Sequence, residues 1–401
     1  MSRDSKPQRV LVVHNSYQQK GGEDSVVEAE VELLRQNGHA VELLARSNFD
    51  IDHMSRATAA AQTLWSRQTS AQIGELSERF RPDLVHVHNS FPLVSPSVYW
   101  AAQAQGLPVV QTLHNFRLLC PQGMLLRNGS ICEDCVGHLP WRGVVRRCYR
   151  DSLAQSAVLG STLSLHRALG TYRRKIDAYI ALNTFCRDKF IEGGLPAGRI
   201  HIKPNFLNPP DREPGTSPRS GGLFVGRLSQ DKGMGLLLSL FGADSRLHDA
   251  PIRIIGRGDY EDQARSVMSD RYLGFLGLEA ILEHLERASF LVVPSLWYEN
   301  FPRTIIEAFS RGTPVIASNI GALASIVDHG RTGLLFEAGK ADSLADTLQW
   351  ALAHPDEMAA MGRRAYDEFM RLYTPESNYA TLRTIYDSLR SGSEAASAGA
   401  V

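Results

Sequence analysis

The chain has 401 residues, 43% hydrophobic and 21% charged, a length and composition that suit a soluble globular protein of two domains. Its 43 Lys and Arg balance 43 Asp and Glu, so no net charge draws the whole molecule to nucleic acid. No run nears the roughly 20 apolar residues of a membrane span, and the apolar stretch at 10–13 is far short of a signal peptide. A cytoplasmic protein with reduced thiols is expected, so the five cysteines read as free thiols or metal ligands before disulfides.

Strand signals alternate with helical patterns from the start. "VLVVHN" (10–15) is followed by the helical run "SVVEAEVELLRQNG" (25–38), and "AVELLAR" (40–46) by an Ala-rich helical region at 55–80. "LVHVHN" (84–89), a helix at 95–106, "PVVQTLHN" (108–115), "AYIALN" (178–183) and "RIHIKPN" (199–205) complete a first half. Such repetition predicts a parallel sheet covered on both faces. Residues 1–207 are read as one Rossmann-like domain with a Cys-rich insert at about 118–150. The Pro-, Gly- and Ser-crowded stretch at 208–222 reads as a linker. The pattern restarts with "LFVGR" (223–227), "IRIIGRG" (252–258), "FLVVPS" (290–295), "PVIAS" (314–318) and "GLLFE" (333–337), which defines a second domain at 223–374. A helix at 375–390 could pack on either half, and the small, polar tail 391–401 reads as disordered.

In doubly wound sheets ligands bind beyond the carboxyl ends of the strands, so residues that follow strands are the candidates. Gly21 and Gly22 stand between the first strand and its helix, where paired glycines let backbone approach a ligand and open helical N–H groups suit phosphate. An ordinary turn is the bland alternative. No GxGxxG or Walker sequence is present. In "FVGRLSQDKG", Arg227 ends a strand and Lys232 is expected just inside the next helix; a guanidinium and an ammonium suit a diphosphate, against two solvated cations. In "PSLWYENFPRTIIEAFSRGTPVIAS", Glu299 precedes a helix and Glu307 lies on it among Ile305, Ile306, Ala308 and Phe309, so an inward carboxylate able to accept from a vicinal diol is favoured over an exposed one. His114 ends the strand "PVVQTLH". His86 and His88 share a face of theirs, with no third metal ligand evident and a structural role preferred. Asp50 and Asp52 form a DxD that reads as a helix cap rather than a metal site. Cys120, Cys132, Cys135 and Cys148, spaced C-x11-C-x2-C-x12-C, fit either a closed four-thiolate structural metal site, zinc or iron, or four unrelated thiols or a redox pair. Arg142, Arg146, Arg147, Arg150, Arg167, Arg173, Arg174 and Lys175, with Trp141, Tyr149 and Tyr172, read as a solvated face or as a patch for anionic lipid or an acceptor diphosphate.

Taken together, Gly21-Gly22, "LHN" at 113–115, "VGRLSQDKG" at 225–233, "IIGRG" at 254–258, "FLG" at 275–277, the E-x7-E pair Glu299/Glu307 and "GRTGLLF" at 330–336 resemble the retaining glycosyltransferases of family 4. The resemblance implies a GT-B fold, two Rossmann-like domains facing across a cleft, with the terminal helix crossing back to the first. It implies that Arg227 and Lys232 hold the donor diphosphate, Glu307 binds the ribose, Glu299 contacts the transferred sugar, and backbone N–H groups of Asn300 and Phe301 hold sugar or phosphate. Gly22 and His114 would complete the site from the acceptor half, with the base near Arg257 and Gly277. No catalytic metal is implied. Relatives carry "EGFG" where this chain has "ENFP", so donor selectivity does not transfer, and the Cys-rich insert is not general to the family. The expected reaction moves a sugar from a nucleotide diphosphate sugar to a saccharide or lipid-linked acceptor in cell-surface polysaccharide or glycolipid assembly, with peripheral contact to anionic membrane and none to nucleic acid. The rivals are a nucleotide-sugar epimerase on the same fold and a non-catalytic sugar-nucleotide binding protein.

Overall fold

The computed structural model describes residues 7–18, 21–211, 213–215, 218–242 and 245–398. The chain divides into two compact units: residues 1–124, 133–203 and 379–401, and residues 125–132 and 204–378. Each carries one main parallel sheet.

In the first unit the strands are β1 (Arg9–Ser16), β2 (Ala40–Ser47), β3 (Leu84–Val87), β4 (Val109–Thr112), β7 (Ala178–Ala181) and β8 (Ile200–Ile202), in the order β2-β1-β3-β4-β7-β8. Every pair is parallel. Strands β3, β4 and β7 are buried along their whole length, which is why they show no polar-out alternation; their polar members His86, Gln111 and Thr112 are buried and hydrogen-bonded. One core cluster joins Val10, Val12, Val27, Leu34, Val110 and Ile180 to Leu382, Ile385 and Tyr386 of the helix Pro375–Ala398. That helix runs through 391–398, where a disordered tail is expected; three alanines and a long preceding helix offset the poorer helix formers there. Residues 399–401 lie outside the described residues.

A small antiparallel hairpin, β5 (Leu126–Arg127) and β6 (Ser130–Ile131), belongs to the second unit although it arises within the Cys-rich insert. The main sheet of that unit comprises β9 (Gly222–Val225), β10 (Ile252–Ile255), β11 (Phe290–Val293), β12 (Val315–Ser318) and β13 (Gly333–Phe336), in the order β10-β9-β11-β12-β13, all parallel. The end of the expected linker is fixed to this unit. Arg219 donates to Thr313 Oγ1 at 2.7 Å and to the Arg311 carbonyl at 2.6 Å, so a stretch that is polar in sequence is held by hydrogen bonds rather than burial. Residues 212, 216 and 217 of the stretch lie outside the described residues. The Ala-rich region at 55–80 is two helices, Arg56–Leu64 and Arg67–Phe80, because Trp65 is extended and Ser66 caps the second.

In each sheet the strand order reverses once, between β1 and β3 and between β9 and β11. The carboxyl ends of those strands are where such sheets bind ligands.

Candidate functional site

In the second unit the loop after β9 carries Arg227 and Lys232, and the loop after β11 carries Glu299. The two loops are packed backbone to backbone. Gly233 has φ 73°, and a Cβ there would stand 1.9 Å from the Pro294 carbonyl oxygen. Leu296 N donates to Asp231 O at 2.8 Å. The helix after β9 begins at Met234, so Lys232 precedes it, contrary to the expected place inside it: the left-handed Gly233 stands between them as the cap. Lys232 Nζ lies 2.5 Å from Glu299 Oε1. The same oxygen accepts from Ser295 Oγ at 2.8 Å and Trp297 Nε1 at 3.2 Å. Three donors on one buried oxygen fix the carboxylate, and the lysine charge offsets its desolvation.

Arg227 donates through Nη2 to Asp231 Oδ2 at 2.8 Å and through Nε to Ser229 Oγ at 3.2 Å, while its side chain stays 58% exposed. Asp231 is held below the usual carboxylate range: burial would raise it, and the Ser229 hydrogen bond and the Arg227 charge outweigh that. The guanidinium is therefore aimed by a carboxylate yet open to a ligand.

Glu307 lies on the helix Arg303–Ser310, with Pro302 as the residue before it, and is buried. Burial pushes its carboxyl up, partly opposed by Arg303, whose Nε is 3.9 Å away. Asn300 and Phe301 occupy the turn between Glu299 and that helix, half-buried, with the Phe301 ring 6.1 Å from Tyr373. Gly256 has φ 146°, and a Cβ there would meet the Gly226 carbonyl at 1.8 Å, so this glycine lets the β10 loop lie on the β9 loop. Arg257, in that loop, stacks on Phe275 at 4.5 Å from the ring centre, and Phe275 is 64% exposed. Gly277 caps the helix Leu278–Arg287 at φ −73° with open space where a Cβ would go, so nothing in its conformation requires glycine.

In the first unit Gly21 precedes the helix Gly22–Gln36, and its N–H donates to Asp24 Oδ2 at 2.8 Å. The other oxygen of Asp24 pairs with His14 Nε2 at 2.8 Å. Glu23, which the sequence reading did not single out, accepts from Tyr17 Oη at 3.0 Å and lies 3.5 Å from Asn115 Nδ2. Among the described residues no donor reaches its other oxygen, which is buried. Burial pushes its carboxyl up to about 8, against the Tyr17 hydrogen bond. Its signal was adjacency to the glycine pair. Through Asn115 this group meets His114, whose Nε2 is 2.9 Å from His88 Nδ1. Burial, then His88, lowers the His114 ring well below its ordinary value.

His86 and His88 do have a third ligand-type neighbour. Glu30 Oε1 lies 3.2 Å from His86 Nδ1 and 3.3 Å from His88 Nε2. Among the described residues these three are the group whose ligand atoms lie within 4.8 Å of one another. Lys203 Nζ, however, sits 2.6 Å from Glu30 Oε2, and an ammonium there repels a metal cation, so the cluster is a buried ion-paired group rather than a metal site. Cys120, Cys135 and Cys148 of the first unit enter no such group among the described residues, and Cys132 falls in the second unit. Asp50 is not a cap: Ser47 caps the short turn Asn48–His53, and Asp50 lies 3.6 Å from Arg46. No described helix is long and apolar enough to cross a membrane.

Comparison with known proteins gives one family model over each half: "Glycosyl transferase 4-like domain" at residues 21–205 and "Glycosyl transferases group 1" at 221–368. The chain is 25% identical over 405 residues to a phosphatidyl-myo-inositol mannosyltransferase of Mycobacterium leprae, covering 94% of this chain and 96% of that one. It is 28% identical over 320 residues to a glycogen synthase of Mycobacterium tuberculosis, covering 76% and 67%. Among solved structures it resembles a sucrose-phosphate synthase from Thermosynechococcus elongatus, with TM-score 0.69, 18% identity and 96% and 100% coverage. It likewise resembles HepE of Anabaena in complex with UDP, with TM-score 0.64, 16% identity and 94% and 100% coverage. Those two likenesses establish the fold, GT-B.

Proposed function

Because the chain belongs to the family 4-type glycosyltransferases of the GT-B fold, we infer that it moves a sugar from a nucleotide diphosphate sugar to a saccharide or lipid-linked acceptor, with retention of anomeric configuration. The observation that carries this reading is the trio Arg227, Lys232 and Glu299 in two loops at the reversal point of the second sheet. An open guanidinium and an ammonium suit a departing diphosphate, whose charge grows as the glycosidic bond loosens. Lys232 would exchange part of its hold on Glu299 for phosphate when donor binds, which frees the carboxylate to accept from the sugar. Glu307, buried, is assigned the ribose diol, and Arg257 with Phe275 the base. Backbone N–H groups at Asn300 and Phe301 are assigned to sugar or phosphate. The first unit is read as the acceptor half, with Gly21, Gly22 and His114 as its binding groups. No protein carboxylate is named as nucleophile; the acceptor attacks from the face the leaving group departs, and the departing phosphate takes its proton. Arg227 and Lys232 together can take up the charge of the departing diphosphate, so no metal is assigned to the chemistry.

Incubation with UDP-, GDP- and ADP-sugars and an acceptor pool, with the anomeric configuration of the product read by NMR, tests this reading. Donor consumed without acceptor to give an epimerised sugar would favour the epimerase; tight donor binding without turnover would favour a binding protein. We place the product in cell-surface polysaccharide or glycolipid assembly on the strength of the mannosyltransferase relative. Exposed Leu139, Trp141 and Val145 lie beside Arg142 and Arg147, which supports peripheral contact with anionic membrane. Flotation with vesicles rich in anionic lipid, but not with neutral ones, is the expected result. The cysteine spacing alone supports a structural zinc, and elemental analysis returning well under one equivalent per chain removes it.

A further inference from the structure

A buried polar cluster of the first unit joins residues far apart in sequence: Lys203, Glu30, His88 and His114 in succession, with His86 alongside. Glu30, His88 and Lys203 are each at most 2% exposed. Glu30 is held ionised, its carboxyl well below the usual range: burial would raise it, and Lys203 and the histidines outweigh that. An ionised carboxylate only accepts, so a bare ring nitrogen beside it would set lone pair against lone pair. His88 Nε2 lies 3.3 Å from Glu30 Oε1, a contact without hydrogen-bond geometry, and the carboxylate's charge favours the proton on that nitrogen. Lys203 already balances Glu30, so a second proton on His88 would leave a buried, uncompensated cation. His88 Nδ1 is then a bare acceptor, and the atom 2.9 Å from it, His114 Nε2, must be the donor. That leaves His114 Nδ1 unprotonated. Among the described residues Nδ1 of His114 has no hydrogen-bond partner, and the residue is half-buried rather than sealed. The ionisable neighbours of the ring are His88, Glu30, His14 and Lys203.

We propose that Glu30 and Lys203, acting through His88, are positioning residues that lock His114 in the Nε2–H tautomer, so that its Nδ1 serves as a fixed acceptor for a sugar hydroxyl. This rests on the reading of His114 as a sugar-facing group. His86 is not in that succession. Its Nδ1 lies 2.7 Å from Tyr386 Oη and its Nε2 2.8 Å from Thr112 Oγ1, so it packs beside the others and pins the terminal helix.

The test is ring-nitrogen NMR on full-length protein labelled with ¹⁵N at histidine, with His114 assigned by His114→Asn. In the unsubstituted protein His114 is expected to show a protonated Nε2 and a bare Nδ1. In the double variant Glu30→Met with Lys203→Met, which removes both buried charges together, His88 Nε2 loses the carboxylate that favours its proton. The His114 proton is then no longer confined to Nε2, and a share of it is expected on Nδ1. His88→Asn, whose amide oxygen stands where Nδ1 stood, is expected to keep the His114 proton on Nε2. In the double variant kcat/KM for sugar transfer is expected to fall about tenfold, the loss of one hydrogen bond to substrate. A proton on His114 Nδ1 in the unsubstituted protein overturns the proposal, whether or not any variant folds. So does an unmoved proton in a folded double variant. The tautomer is read without substrate, so absence of sugar transfer would sink the functional reading alone, and a wrong tautomer in an active enzyme would sink this inference alone.

Discussion

Lys232 shows how one side chain carries two duties. It neutralises the buried Glu299 at 2.5 Å, and it stands in the loop to which the donor diphosphate is assigned. Lys232→Ala should therefore cost at least about tenfold in kcat/KM, the loss of one charge-assisted contact of roughly 1.5–3 kcal/mol. Steady-state kinetics with the cognate donor checks this, and unchanged values would remove the residue from the site. Glu23 makes a prediction of a different kind. Its folded carboxyl is pushed by burial from the ordinary 4.5 up to about 8. An acid whose folded value is raised binds its proton more tightly when folded, so stability falls as pH rises through that interval. Glu23→Gln should melt higher than the parent at pH 8.5, with the gap closing toward pH 5; differential scanning across that range reads it. At this scale legibility was uneven. The places of Glu299, Arg227 and Lys232 after strands and the burial of Glu307 on its helix could be read from local sequence. Glu30 and Lys203 could not, because 173 positions separate two residues that only the fold brings within 2.6 Å.

At the scale of elements, the loops matter more than the strands they follow. Strands β3, β4, β7, β11 and β12 were legible as short apolar runs because burial on both faces forbids alternation. Their connecting loops were not, since backbone-on-backbone packing leaves no periodic trace. Gly233 is the clearest case. Gly233→Ala would force a Cβ against the Pro294 carbonyl and strain a left-handed φ, so a loss of about 1–3 kcal/mol in the second unit is expected. Chemical denaturation followed by tryptophan fluorescence measures it, and the displaced Lys232 should lower activity as well. Gly277→Ala is the matched control: with open space and an ordinary φ, it should change stability by under about 0.5 kcal/mol.

For the molecule as a whole, the helix Pro375–Ala398 is the element that does not follow sequence order. Leu382, Ile385 and Tyr386 are each at most 2% exposed and complete a core begun by Val10 and Val12. Leu382→Ala should destabilise the first unit by about 2–5 kcal/mol, while leaving the second unit's unfolding transition in place. Two-transition calorimetry tests that, and a shift of both transitions alike would contradict it. Two-domain organisation was legible from the restart of the strand pattern after 222, whereas ownership of the last helix was legible only through the family resemblance, because its apolar face would suit either core. The same helix sets the order of events during synthesis. β1 leaves the ribosome before the rest of its sheet, yet the side chains that close over it arrive about 370 residues later. The second unit, whose own sheet is released in one stretch from 222 to 336, can acquire its native state while the first still waits with an open flank. The half that is translated earliest is thus the last to mature, and a nascent chain stalled short of residue 382 would present that unfinished surface to chaperones.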